Sequence, residues 1–263
     1  MIKLFFRKLT NQFCFVPLRK ILDFVYDNPF IQSLFNVFSL YVEDGLVSIH
    51  NHDFTKDPKF KSAYQRGIRA NTFDSHWKWR VHVGLWAASH AMQLQGDFVE
   101  CGVNRGFLSS SIMDYLHWNT LHKKFYLFDT FHGLDRALVS KEEKMLGRMQ
   151  ESEKHYSKCY AEVKRNFQGY KNVILVRGSV PSTLKKVFIH RVCYLSIDMN
   201  NYASEIAAAE FFWPILVHGA IILLDDYAYK GYLPQKKAFD IFAKKRGITI
   251  LSLPTGQGMI IKS

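Results

Sequence analysis

The chain has 263 residues, 48% of them apolar, enough for one large domain with a sizeable core, or one domain with an appendage. Its net charge of +12, from 35 Lys+Arg against 23 Asp+Glu, favours anionic surroundings, yet no nucleic-acid-binding motif or arginine-rich tail accompanies it. A basic soluble protein with no nucleic-acid partner is expected. Four scattered cysteines, Cys14, Cys101, Cys159 and Cys193, form no CxxC pair. They suggest neither a zinc site nor a disulfide framework and predict a reducing, cytoplasmic setting.

The N-terminal stretch MIKLFFRKLTNQFCFVPLRK has five basic residues and no acid before Asp23. It is too interrupted by charge for a transmembrane span, and lacks the clean apolar core and small-residue cleavage site of a signal peptide. It reads as an amphipathic helix on a membrane interface, or, the preferred reading, as a helix packed on the main domain or on a second subunit of a homo-oligomer. Phe24, Phe30, Phe35 and Phe38 recur at irregular helical spacings. They predict helix from residue 1 to about residue 60, with the aromatics in core or subunit contact. His50 and His52 would share a face only on a strand and have no third ligand nearby, so 49–54 is expected to be a loop.

Residues 61–95 read as helices. Trp77, Val81, Leu85 and Ala88 fall on one helical face. His76, Arg80 and His82 line a site entrance or, the favoured reading, a solvated face.

From Gly96 the pattern becomes apolar strand, then helix. Strands are predicted at 97–101, 124–129, 172–177, 192–198, 219–225, 248–253 and 259–262, with helices between the first five. Near-continuous apolar runs mark strands buried on both faces, hence a largely parallel sheet. The last two strands, joined by Pro-Thr-Gly-Gln-Gly, form an antiparallel hairpin. The predicted fold is an α/β sandwich of about seven strands over residues 70–263, preceded by a helical extension over 1–69. Residues 130–171, highly charged and too long for a plain loop, are expected to hold a helix and to cover the site as a lid, the alternative being a solvated surface helix.

The chain is organised around Gly96 to Gly106, GDFVECGVNRG: strand, tight glycine turn, helix. Such a turn presents backbone N–H groups and a helix N-terminus to a ligand. Glu100 at the strand end suits a cation or a hydroxyl and repels a phosphate. The reading is a nucleoside-type cofactor with a positively charged part.

In open α/β sheets the ligand lies beyond the carboxyl ends of the strands. There the sequence places Glu100, Asp129, Asp198, Asp225 and Asp226, with Gly178 and Ser179 after the third strand. Asp129 is placed to accept from ribose hydroxyls, and Ser179 to lie near an adenine edge. Asp198, Asp225 and Asp226 would repel one another unless a cation joined them. Oxygen-only ligands suit Mg²⁺ or Mn²⁺. The alternative is that Asp226 caps the following helix and only two acids face inward.

Four runs, ECGVNRG (100–106), LFDTFHGL (127–134), LSIDMN (195–200) and LLDDY (223–227), resemble the class I S-adenosylmethionine-dependent methyltransferases. More narrowly, they resemble the macrocin and mycinamicin O-methyltransferase family, which methylates sugar hydroxyls with the help of Mg²⁺. The resemblance covers residues 70–263 and implies a Rossmann-like fold. It implies that Glu100, Gly102 and Gly106 surround the methionine part of the cofactor, that Asp129 holds the ribose, and that Asp198, Asp225 and Asp226 bind Mg²⁺. Cys101, Asn104, Thr130 and Asp198 are counted with the cofactor-binding residues. The family often has Asp-x-Asp where this chain has Asp198-Met199-Asn200, an acid at Ser179, and Glu at His132. Asp198 is the expected base, with His132 as the second candidate. The other readings are a degenerate methyltransferase fold serving as a binding or scaffold subunit, and a methyltransferase with another acceptor such as nucleic acid. Against the last, Asp198-Met199-Asn200-Asn201 is not the Asp/Asn-Pro-Pro-Tyr/Phe run that base methyltransferases carry.

Overall fold

A computed structural model describes residues 28–29 and 40–263. The expectations for residues 1–20, for Cys14 and for Phe24, Phe30, Phe35 and Phe38 lie outside the described residues. The chain divides into two compact units, 1–52 and 53–263.

In the first unit, β1 (Tyr41–Glu43) and β2 (Leu46–Ser48) form an antiparallel hairpin, where the sequence predicted helix. The turn is Asp44-Gly45, with φ of 52° and 72°. Two successive positive φ values give a turn whose twist matches the flanking strands, so over residues 41–48 a hairpin stands where helix was expected. His50 and His52 follow without regular structure, as expected, and His52 meets the Tyr41 ring edge-on at 5.5 Å.

The second unit begins with α1 (Pro58–Asn71) and α2 (Lys78–Met92). Asp57 starts α1 by accepting from the Lys59 N–H at 2.9 Å, and Pro58 sits at the first helical position, where a missing N–H costs nothing. Val81, Leu85 and Ala88 of α2 are buried, and Trp77 stands just before the helix, partly exposed.

The sheet comprises β3 (Asp97–Cys101), β4 (Phe125–Asp129), β5 (Val173–Arg177), β6 (Val192–Ile197), β7 (Leu216–Leu224), β8 (Leu251–Ser252) and β9 (Gly258–Ile261). Its order is β5-β4-β3-β6-β7-β9-β8. The first five are parallel; β9 runs antiparallel to β7 and to β8, so the expected C-terminal hairpin forms and inserts its second strand next to the core. The strand order reverses at β3, which opens a crevice beyond the carboxyl ends of β3, β4 and β6.

Helix α3 (Phe107–Tyr115) follows β3, α7 (Tyr202–Phe212) joins β6 to β7, and α8 (Leu233–Arg246) follows β7. Between β5 and β6 the structure has only the 3₁₀ turn Leu184–Lys186, not the helix predicted there. Between β4 and β5 lie three short helices where one was predicted: α4 (Lys141–Met145), α5 (Arg148–His155) and α6 (Tyr160–Phe167).

Strand alternation divides the core. Phe98, Phe125, Leu127, Tyr194, Ile221 and Leu223 face the side covered by α1, α2 and α3. Val99, Cys101, Phe128, Leu195, Ile197, Ile222 and Leu224 face the side covered by α7 and α8. Each such side chain contributes roughly 1.5–3 kcal/mol when fully buried. Among the described residues no helix is long and apolar enough to cross a membrane.

Candidate active site

The glycine turn after β3 is held by its neighbours on both sides. Gly102 (φ +94°) donates to the Phe128 carbonyl at 2.9 Å, and a Cβ on it would lie 1.6 Å from the Asp198 carbonyl oxygen. Only glycine lets β3 and β6 close on one another here. Gly106 (φ +87°) ends the turn and starts α3. It does not face the cleft; a Cβ there would meet the Phe167 ring of α6 at 2.7 Å. Its place in the site is therefore to set the turn.

The cleft beside this turn is lined by Glu100, Gly102, Asn104, Asp129, Thr130, His132, Ser179 and Asp198, all expected cofactor or catalytic residues, and by Tyr156, Asn200 and Asn201. Cys101 is the exception. Its side chain points to the opposite sheet face and is fully buried in the second core, because successive residues of a strand face opposite ways. Glu100, one residue earlier, faces the cleft.

Glu100 is buried, and its Oε2 has no hydrogen-bond partner. Burial, reinforced by Asp129 and Asp225, pushes its carboxyl up to about 8, with Ser109 pulling the other way. An uncompensated buried carboxylate fits the positively charged part of a ligand. Asp129 is differently used. Its Oδ2 accepts from the Val103 and Asn104 N–H groups at 2.6 and 2.7 Å, and its Oδ1 from the Phe131 N–H. It braces the glycine turn, and only its remaining lone-pair positions face the cleft. Ser179 lies at the cleft, its hydroxyl turned to the Val180 carbonyl at 3.3 Å. The His132 Nδ1 lies 2.9 Å from the Thr130 carbonyl. A carbonyl accepts, so Nδ1 carries the proton and Nε2 is the nitrogen left to accept one.

The three aspartates at the ends of β6 and β7 are not equivalent. Asp225 Oδ2 pairs with Arg80 Nη1 at 2.6 Å, and its Oδ1 accepts from Gln257 Nε2 at 3.0 Å. Arg80 also donates to the Asp225 and Thr255 carbonyls, each at 3.1 Å. Arg80 is thus buried in the site and not on a solvated helix face. The sequence signal misses it because helical spacing places Arg80 beside Val81 without showing what faces it. His82, on the same helix, stacks on Phe54 at 4.1 Å and is not part of the cleft.

Asp198 lines the cleft, with its Oδ1 accepting from Asn200 Nδ2 at 3.0 Å. Burial, then the neighbouring Asp225, Asp226 and Glu205, hold its carboxyl well above the usual carboxylate range. Asp225 lines the cleft and Asp226 does not; the Asp226 Oδ2 is buried without a partner. Burial and Asp225 push its carboxyl up to about 8, while Arg80 and Arg148 pull it down. It does not cap a helix, since α8 begins at Leu233.

Among the described residues no three His, Cys, Asp or Glu side chains are already disposed around a metal-sized centre. The chemistry of the set nonetheless fits a hard divalent cation. Two carboxylates of the set, Asp198 and the buried Asp226, carry raised proton affinity, Asp226 with an orphaned oxygen, and all donors are oxygen. The residue that departs from a ready site is Asp225, whose charge Arg80 already meets.

The charged insertion is not a solvated helix. Glu143, fully buried, accepts from the Ser140 N–H at 2.8 Å in a capping box and from the Tyr202 N–H of α7 at 2.7 Å. Arg148, also buried, donates to the Gly231 carbonyl at 2.7 Å and lies 3.6 Å over the Tyr232 ring. Tyr232 in turn donates to Asn200 Oδ1 at 2.6 Å. Helices α4 and α5 are tied in this way to the acid-bearing side of the cleft, and Tyr156, just after α5, enters its wall. Helix α6 is part of the core, burying Val163 and Phe167.

In fold, the chain is similar to a structure of the O-methyltransferase NovP, with a TM-score of 0.63 at 20% identity over 72% of this chain and 82% of that one. It is also similar to CalS11, described as the calicheamicin methyltransferase, with a TM-score of 0.59 at 15% identity over 78% and 93%. An apo structure of CalS11, described as TDP-rhamnose 3'-O-methyltransferase, gives 0.50 at 14% over 78% and 95%. No curated protein matches the chain. A family model described as Macrocin-O-methyltransferase (TylF) matches residues 85–251, well over half of the chain. Those residues run from α2 to β8 and contain the glycine turn and every acid at the strand ends, so the chain belongs to the macrocin O-methyltransferase family and is an S-adenosylmethionine-dependent O-methyltransferase.

Proposed function

We propose that the protein transfers a methyl group to a hydroxyl of a sugar or glycosylated small molecule, with Mg²⁺ held by Asp198, Asp225 and Asp226 and with Asp198 as the base. The observation that carries this reading is Asp198 itself, an acid of raised proton affinity on the cleft wall, between the glycine turn and a cluster of oxygen donors. The sugar class is supported by the family and by the TDP-rhamnose acceptor named for CalS11.

S-Adenosylmethionine, when bound, supplies an electrophilic methyl group, and Mg²⁺, when bound, supplies Lewis acidity toward a hydroxyl. The chain's own residues do the rest. Glu100 offers the cationic methionine end its unpaired oxygen. Gly102, Asn104 and the braced turn present backbone to the cofactor. Asp198 accepts the proton of the attacking hydroxyl, held in place by Asn200, whose own carbonyl oxygen is fixed by Tyr232. Tyr156 and the insertion close the cleft against water, which orients the reactants.

The test is incubation of the purified protein with S-adenosylmethionine and a panel of nucleoside-diphosphate sugars and glycosides, followed by mass spectrometry, with EDTA and with Mg²⁺. Methylation of a sugar that EDTA abolishes and Mg²⁺ restores is the expected result. Methylation confined to non-sugar hydroxyls, or unaffected by EDTA, overturns the acceptor or the metal part respectively.

A further inference from the structure

Asp198, Asp225 and Asp226 gather three carboxylates, yet among the described residues only one ion pair reaches them, Arg80 to Asp225 at 2.6 Å. Arg80 comes from the first turns of α2, 145 residues away in sequence. Its guanidinium is held against the carboxylate by the Asp225 and Thr255 carbonyls, and lies 5.9 Å from the Trp77 ring and 5.1 Å from the Tyr229 ring. Both charges are largely out of water, with side-chain exposures of 9% and 18%. The second Asp225 oxygen is met by Gln257, itself braced by Thr255 at 3.0 Å.

We propose that Arg80 is the resident counter-cation of this acid cluster and competes with a divalent cation for Asp225. The inference rests on the magnesium reading above and adds to it a residue on α2, outside the acids. A guanidinium at hydrogen-bond distance from Oδ2 would lie beside any second cation on the same carboxylate, and like charges so placed in a water-poor site repel strongly. Entry of the metal therefore requires Arg80 to give up Asp225. Because Arg80 packs beside Trp77, and Trp77 lines the cleft, that release also alters the cleft wall on the α2 side. The arginine thus keeps the acids tolerable in the metal-free protein and sets how tightly the metal binds.

The sign of one measurement separates this from a structural role. If Arg80 merely orients Asp225, removing it weakens metal binding. If it competes, removing it tightens metal binding. Mn²⁺ affinity of the full-length chain is read from the free-ion electron paramagnetic resonance signal, for wild type, Arg80→Gln and Arg80→Lys. S-Adenosylhomocysteine binding serves as the check that each variant is folded. Arg80→Gln is expected to bind Mn²⁺ at least tenfold more tightly than wild type, and Arg80→Lys, which keeps the charge, within about threefold of it. Should Arg80→Gln fail to fold, Arg80→Met, which keeps the side-chain stem, takes its place with the same expectation. Equal or weaker Mn²⁺ binding by a neutral variant that still binds S-adenosylhomocysteine overturns the competition while leaving the metal site standing. No saturable Mn²⁺ binding by wild type or any variant overturns the metal reading, and the competition with it.

Discussion

Three residues act differently on the cleft, and they can be told apart by substitution. Asp198→Asn keeps the shape but cannot accept a proton, and loss of a general base costs on the order of 10²–10⁴ in rate. Turnover should fall by that factor, while S-adenosylhomocysteine affinity, measured by calorimetry, stays within about threefold. His132 stands on an exposed loop, and His132→Gln should cost less than about tenfold; a larger loss than in Asp198→Asn would exchange their roles. Gly102→Ala acts on the backbone. Its Cβ would sit 1.6 Å from the Asp198 carbonyl oxygen, so β3 and β6 must part. Cofactor binding is expected to disappear from a calorimetric titration even where the protein is recovered soluble.

At the scale of elements, the insertion and the first helix each turn on a residue whose substitution can be read out. Glu143 is the only described acid that receives N–H groups from both the insertion and α7. Glu143→Ala leaves buried donors unpaired, at about 1–3 kcal/mol for each. Hydrogen exchange at residues 140–156 should accelerate severalfold with little change in the sheet. If exchange there is unchanged, Glu143 does not hold the insertion closed. Gly67 is where α1 crosses α3; a Cβ would lie 2.4 Å from Ser111 Oγ and 2.7 Å from the Phe107 ring. Gly67→Ala overpacks the contact, and a cost of about 1–3 kcal/mol is expected in denaturant unfolding.

The whole molecule has a domain boundary and a pH dependence to test. The compact unit starts at Asp53, so α1 falls inside it, although the sequence assigns residues 1–69 to an extension. We propose that residues 53–263 fold alone and bind S-adenosylhomocysteine. A chain starting at residue 70 lacks α1, which buries Phe60, Ala63 and Tyr64, and should be insoluble. Solubility of both, with equal affinity, would move the boundary to residue 70. For the pH dependence, burial holds Glu100 up to about 8 against 4.5 for an ordinary glutamate. The folded state therefore keeps a proton that the unfolded chain releases, and stability is highest below the ordinary value and falls as pH rises toward 8. Asp226, also up to about 8, acts with the same sign. Glu100→Gln removes one of these contributions. The linkage contribution changes by about 3 kcal/mol across pH 5.5 to pH 8.5, so the variant's melting temperature should gain roughly 6–13 °C on wild type over that range, at ~2–4 °C per kcal/mol for a chain of this size. A constant difference across that range would mean that Glu100 does not titrate there.

Much of this was legible without coordinates. The apolar runs, the Gly102 and Gly106 turn and the placing of acids at four strand ends follow from local chemistry. A parallel strand buried on both faces must be apolar along its length, and a backbone that closes on its neighbour must be glycine. Those constraints act on residues adjacent in sequence, so the sheet and its glycine turn could be read from them, while the family was read from the resemblance of four short runs. What tertiary structure alone decided is who faces whom. Cys101 turned from the cleft because strand alternation gave that face to Glu100. Asp129 braces the turn because the Val103 and Asn104 N–H groups come within reach only once β3 and β4 pair. Arg80 found Asp225 across 145 residues, and Glu143 found Tyr202 across 59. A buried charge is stabilised by its partner and not by its sequence neighbours, and that partner is chosen only when the chain has folded.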